Sequence, residues 1–245
     1  MGAGSVALMT LEPVPEDWDR CLAVVAHPDD LEFGAAAALA RWTGQGKSVV
    51  QVLATRGEAG IDGMEPTEAA RVRTAEQQAS GAIVGAGAVE FLDHPDGILQ
   101  PGLDLRRDLA RAIRRHRPDV IVTISFRETF RGGGGWNHVD HRVLGESLVD
   151  AVRDAANRWV FPELLDKGHQ PWGGVRFVLA GSSPLASHYV DVTDSIDTGI
   201  ASLQAHRAYV EGLGGDFEPE GFLRGSSEAV GREVGVGNAT PFELI

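Results

Sequence analysis

The chain has one cysteine in 245 residues, Cys21, so an intramolecular disulfide is excluded and no cysteine-rich metal cluster can be built. It is also short of positive charge. Lys and Arg total 22 against 35 Asp and Glu, a formal net charge of −13. An acidic surface of that kind does not neutralise phosphates, which argues against nucleic acid as a partner. No apolar run reaches membrane-spanning length, and Met1–Thr10 lacks the basic start and apolar core of a signal peptide. The expectation is a soluble cytoplasmic protein with no membrane partner. No Gly-x-Gly-x-x-Gly follows the first strand, no phosphate-loop lysine is present, and there is no internal repeat, so nucleotide binding has little support.

What the chain does contain is an alternation of short apolar runs and amphipathic stretches. Cys21 to Ala26 reads as a strand buried on both faces, and Leu31 to Trp42 as a helix. Ser48 to Thr55, Val89 to Leu92 and Asp119 to Ser125 read as further strands, with helices over Pro66 to Ile83 and Leu103 to His116 between them. A helix from His138 to Ala156, strands at Arg176 to Ala180 and His188 to Val192, and a helix from Ser195 to Tyr209 complete the pattern. Strands and helices at this spacing predict a Rossmann-like α/β fold, a mainly parallel sheet with helices on both faces. The whole chain, 1–245, is expected to be one domain. Residues 1–20 read as a loose lead-in, with Pro13 and Pro15 against any early helix, and residues 212–245 as a Gly-rich segment.

Two stretches carry chemistry. In Ala26-His27-Pro28-Asp29-Asp30-Leu31-Glu32 an apolar strand stops at a proline and a helix begins, which puts the turn at the carboxyl edge of a parallel sheet, where open α/β folds bind ligands. His27 and Asp30 are suitable donors for a borderline divalent metal such as zinc, leaving Asp29 free for proton transfer. The competing reading is a capping box, Asp29 accepting from backbone N–H groups and Glu32 reaching back. The second stretch, His138-Val139-Asp140-His141, follows another strand and a loop holding Gly132 to Gly135. His138 and His141, three apart at a helix start, share a face. The clusters together offer His, His and Asp and leave a coordination position open, the layout of a catalytic rather than a structural metal. The residues alone do not choose between His138 and His141 as ligand.

These stretches resemble the PIG-L/LmbE-like de-N-acetylase family of zinc-dependent enzymes, which includes mycothiol-type and antibiotic-pathway deacetylases. The matching segments are Ala26 to Asp30, Thr55 to Gly60, Arg73 and Glu76, Asp96-Gly97, His138 to His141, Val190 to Asp194 and Ala205-His206, in consistent order. The resemblance implies an LmbE-like deacetylase fold, with His27, Asp30 and His141 holding Zn2+ (or Fe2+) and Asp29 as general base. It makes His138 the charged group facing the oxyanion, with Asp140 as its partner. Arg73, Asp96 and Glu58 would contact sugar hydroxyls. Trp136 is expected at the site, standing where mycothiol-pathway members carry Tyr; Gly199 replaces a frequent Lys and Ala36-Ala37 a Gly pair. The implied reaction is removal of an N-acetyl group from a small amino-sugar conjugate. The rivals are an amidase acting on a thiol conjugate and a metal-bearing but inactive binding or assembly protein. A homo-oligomer is left open.

Overall fold

The computed structural model describes residues 11–133, 135–214 and 217–245. The first ten residues of the lead-in, Gly134 of the glycine run and residues 215–216 of the C-terminal segment lie outside the described residues.

In chain order the elements are β1 (Glu12–Pro13), β2 (Arg20–Val25), α1 (Asp30–Gly34), α2 (Ala36–Gly44), β3 (Ser48–Leu53), α3 (Pro66–Ile83), β4 (Ala88–Phe91), α4 (Leu103–His116) and β5 (Val120–Ile124). There follow α5 (Val139–Ala156), α6 (Glu163–Asp166), β6 (Phe177–Gly181), β7 (His188–Asp191), α7 (Ile196–Gln204), α8 (Arg207–Gly212), α9 (Pro219–Val234) and β8 (Ala239–Leu244). One eight-stranded sheet runs β1-β7-β8-β6-β5-β2-β3-β4. Among the described residues β8 is the one strand antiparallel to its neighbours, inserted between β6 and β7. An open sheet flanked by helices is thus the architecture, as the alternation implied.

The period-2 alternation of a strand explains the two-sided core. Cys21, Ala23 and Val25 of β2 pack into one apolar cluster with Leu39, Trp42, Val122 and Leu203. Leu22 and Val24, with the following Ala26, face the opposite cluster with Leu109, Ile113, Ile121 and Leu148. A strand covered on both faces reads as a continuous apolar run, because neither face meets water.

The order of strands fixes where a ligand can bind. From β2 the chain adds β3 and β4 on one side, then crosses to place β5 on the other side of β2. The crevice beyond the carboxyl ends of β2 and β5 is therefore a topological switch point, left open by helices that depart in opposite directions.

Three sequence expectations need correction. Residues 11–19 are not a loose lead-in: β1 pairs in parallel with β7, and Trp18 is buried with its ring 5.1 Å from that of Trp42. The prolines that exclude a helix there are tolerated on an edge strand, which has no partner on its outer side. Leu31 to Trp42 is two helices, broken at Ala35, where φ is −151°. The break brings Gly34 against Gly181, so close that a Cβ on Gly181 would collide with the Gly34 carbonyl. Ser195 to Tyr209 is likewise interrupted at Ala205-His206, and the His206 side chain turns into the interior. The Gly-rich C-terminal stretch supplies α9 and β8. Among the described residues no helix is long and apolar enough to cross a membrane.

Candidate active site

His27 leaves the end of β2, and His138 caps α5 after the loop that follows β5. Both clusters therefore arrive at the switch point. His27 Nδ1 lies 3.1 Å from His141 Nε2 and 3.5 Å from Asp30 Oδ2, and His141 Nε2 lies 2.9 Å from Asp30 Oδ1. Zinc with bonds of about 2.0–2.1 Å in tetrahedral geometry sets its donor atoms roughly 3.3 Å apart. The two imidazole nitrogens and the two Asp30 carboxylate oxygens lie at comparable separations, and His27, Asp30 and His141 form a group able to hold a metal ion. A second combination, His27 with His138 and Asp140, also converges. In that one, however, the Asp140 carboxylate already accepts from the backbone N–H groups of Gly97 and Leu99.

The remaining ring nitrogens are held in place. Asn137 donates through Nδ2 to the carbonyls of Ser125 and Arg127, at 2.6 and 2.8 Å, which fixes its amide orientation. Its Oδ1 then faces His141 Nδ1 at 2.7 Å, so Nδ1 carries the proton and Nε2 presents a lone pair towards Asp30 and His27. His27 Nε2 is set against Asp140 at 3.2 Å and Asp96 at 3.1 Å, which leaves Nδ1 for a cation. Burial works against charge on His27, but Asp30, Asp140 and Asp96 overcome it and hold its pKa well above the ordinary imidazole value. A pocket with so many convergent carboxylates favours a cation, and the donor set fits a borderline divalent metal.

Asp29 stands apart from that set. It occupies the left-handed region (φ 99°) and makes no helix-capping bond with its side chain, so the capping-box reading fails. Glu32 does not reach back either: it is buried and accepts from Gln77 and Ser80. Gln77 Oε1 accepts the Asp29 backbone N–H at 3.1 Å, and Arg73 donates to the Asp29 carboxylate, to the Pro28 carbonyl and, at 2.9 Å, to the Gly57 carbonyl. These bonds offset the strain of the unusual φ, a kind of strain that gathers at functional sites. Burial raises the Asp29 pKa above the usual carboxylate range; Arg73 opposes the shift and neighbouring Asp30 adds to it.

Several residues sit differently from the expectation. Asp140 does not use its carboxylate on His138. That carboxylate is fully buried and faces His27, while the Asp140 backbone N–H donates to His138 Nδ1 at 3.2 Å. The surroundings of His138 also disfavour charge on its ring: burial first, then the nearby imidazoles, lower its pKa, with Asp140 only partly opposing. With Nδ1 accepting, the neutral ring carries its proton on Nε2 and remains a donor. Arg73 is 2 % exposed, its guanidinium committed to the three oxygens above and stacked over Tyr209. Glu58 accepts from the Asp96 and Arg56 backbone N–H groups and lines a separate small pocket with Arg56 and His94. Asp96 does line the main cavity, though its oxygens are engaged by His27, Thr55 and the Ala59 N–H. Trp136 is 86 % exposed at the cavity rim. Gly199 lies so close to α2 that a Cβ there would meet Ala37 at 2.8 Å, so the two departures at 37 and 199 touch one another. His206 is buried beside Glu32, 3.6 Å away, and does not line the cavity. Gln77 and Asn137 were not anticipated. Asn137, immediately before His138 and one helical turn from His141, had a positional signal; Gln77 had none.

The family profile described as PIG-L: GlcNAc-PI de-N-acetylase matches residues 22–152. A 1D-myo-inositol 2-acetamido-2-deoxy-alpha-D-glucopyranoside deacetylase from Kineococcus radiotolerans is 32 % identical over 170 residues, covering 56 % of this chain and 45 % of the relative. A mycothiol S-conjugate amidase from Streptomyces coelicolor is 30 % identical over 167 residues, covering 59 % of this chain and 55 % of the relative. The chain thus spans about half the length of these curated relatives. The N,N'-diacetylchitobiose deacetylase of Pyrococcus horikoshii has the same fold, with a TM-score of 0.83 over 94 % of this chain and 85 % of that one at 23 % identity.

Proposed function

The chain belongs to the PIG-L family of GlcNAc-PI de-N-acetylases, and on that premise we propose that it is a zinc-dependent hydrolase removing an N-acetyl group from a small amino-sugar conjugate. One observation carries the reading. Donor atoms of His27, Asp30 and His141 converge at metal-binding distances, while a buried carboxylate, Asp29, is held out of that set in a strained backbone conformation.

A divalent ion held by His27, Asp30 and His141 supplies Lewis acidity towards water and the amide carbonyl. The rest is assigned to side chains. Asp29, with its pKa raised towards neutrality by burial, takes a proton from the attacking water. Arg73 and Gln77 fix its carboxylate and its backbone, so little orientational freedom remains to be lost during reaction. His138 presents Nε2–H to the carbonyl oxygen as negative charge develops there, its Nδ1 being occupied by the Asp140 backbone N–H. The proton held by Asp29 then passes to the leaving nitrogen as the C–N bond breaks, giving free amine and acetate. Asp140 keeps the His27 ring oriented, and Asp96 and Trp136 are offered to the sugar side of the cavity.

The test is acetate release from N-acetylglucosamine conjugates by zinc-loaded protein, with Asp29→Asn as control. The proposal expects turnover by the native chain, and full metal content without turnover in the variant. Equal turnover by both would remove Asp29 from the mechanism. The Streptomyces relative motivates a second reading, cleavage of a thiol-conjugate amide. Product analysis separates the two, because that reaction liberates a cysteinyl acid in place of acetate. Zinc binding with neither product would leave the inactive binding protein.

A further inference from the structure

The cavity over the candidate site is much larger than the proposed reaction requires. It is a half-open cleft of about 1040 Å³, at the upper limit of the roughly 300–1,000 Å³ that holds drug-sized ligands. One N-acetylated sugar fills only part of it. The lining is also divided by chemistry. Around the metal donors it is polar, with Asp29, Asp96, Asn137 and His138. The apolar lining is Phe33, Ile124, Ile196, Leu213, Phe222 and Val230, with Ser226 and Ser227 of α9 beside the last two. Ala37 and Gly199, where α2 and α7 approach closely, line the cavity without a bulky side chain.

Two features mark the apolar part as a place for a ligand rather than ordinary core. Phe222 is 50 % exposed and Leu213 47 %, both at this cavity. The Phe33, Phe217 and Phe222 rings pack together at 5.6–5.8 Å, forming a preformed aromatic surface. Large apolar groups left uncovered together mark interaction sites. The charged groups at that end, Arg131 and Glu233, bond to each other at 2.8 Å and so present no net charge.

We propose that the substrate carries an apolar chain of about six carbons or more, and that the wall from Phe33 to Val230 receives it while the sugar amide sits at the metal donors. This rests on the hydrolase reading above. The chain can be the acyl group itself or an alkyl aglycone; the chemistry recognised is the same.

The experiment uses two series with the zinc-loaded full chain: N-acyl glucosamines from acetyl to octanoyl, and alkyl N-acetylglucosaminides from methyl to octyl. In the arm whose chain enters the cavity, kcat/KM is expected to rise about two- to fourfold per methylene over at least four methylenes. The other arm stays flat, and the rising arm names the source of the chain. Phe222→Ala and Ser226→Trp, both at exposed positions on α9, test the wall from two directions. Each should lower the ratio of long-chain to short-chain kcat/KM by about threefold or more. Turnover of the short substrates with both series flat overturns the inference and leaves the hydrolase reading standing. If nothing is hydrolysed, the hydrolase reading fails, and the chain site is judged by calorimetry. Octyl N-acetylglucosaminide must then bind at least tenfold more tightly than the methyl compound, and equal affinity overturns it.

Discussion

Replacing Asn137 by alanine should weaken metal binding without touching a metal donor. The Asn137 amide is pinned by two donated bonds, to the Ser125 and Arg127 carbonyls, and its oxygen accepts from His141 Nδ1 at 2.7 Å. Without it, the ring of His141 loses the bond that selects its tautomer, and a neutral imidazole with its proton on Nε2 cannot bind a metal there. Loss of such an orienting partner typically costs 10–100-fold in metal affinity, about 1.4–2.7 kcal/mol. The buried Ser125 carbonyl is stranded as well, costing on the order of 1–3 kcal/mol of stability, and the half-buried Arg127 carbonyl loses its donor at a smaller cost. Asn137→Asp divides these effects, since it keeps an acceptor for His141 but loses both donors. Zinc affinity by chelator competition, beside thermal unfolding of the apo protein, reads the two terms separately. The alanine variant should lose both affinity and stability, whereas the aspartate variant should lose stability and retain affinity. Wild-type zinc affinity in a folded Asn137→Ala protein would refute the assignment of the His141 tautomer.

Three further outcomes are expected. Burial raises the Asp29 pKa, so the working base is lost by protonation at a higher pH than for an ordinary carboxylate, and kcat/KM should fall on acidification with a limb above about 4; a limb at or below that value points to a solvated base. Arg73→Met removes the cation opposing that shift, so the acid limb should move to higher pH and kcat fall about tenfold or more, with partial recovery in Arg73→Lys; an unchanged pH profile would show that Arg73 does not act on Asp29. Trp18→Ala should cost about 3–5 kcal/mol in chemical denaturation, since its buried ring packs on Trp42 and lies 4.7 Å beneath the Lys47 ammonium; a loss under 1 kcal/mol would return residues 11–19 to the status of a loose arm.

The elements that were legible are those whose periodicity is local. Helices α3 and α4 have the bounds their patterns implied, because Pro66 opens one and Pro118 follows the other; α4 buries an apolar stripe through Leu105, Leu109 and Ile113, whereas the buried face of α3 is largely polar, Arg73, Gln77 and Ser80 beside Ala69. The central strands were legible because burial on both faces keeps the runs nearly all apolar, with Gln51 of β3 and Thr123 of β5 as single polar interruptions. The convergence of the two clusters was also legible: each follows a strand in a mainly parallel sheet, and such turns share an edge. Interruptions were not legible. The single Gly34 before Ala35 is a weak signal and His206 offers none; the breaks coincide with the approach of Gly34 to Gly181 and with burial of His206 beside Glu32, both partners remote in sequence.

By itself the sequence determined which chemical groups this protein brings to its sheet edge, because residue type and spacing follow from the chain alone. Tertiary structure decided what each group does there. Asp140 was sent to His27 instead of His138, Arg73 was tied to Asp29 at the cavity wall, and Glu58 went to a backbone turn. In each case the partner lies well outside the local segment, and for a buried polar side chain the partner within reach, more than the residue's type, sets its charge and role.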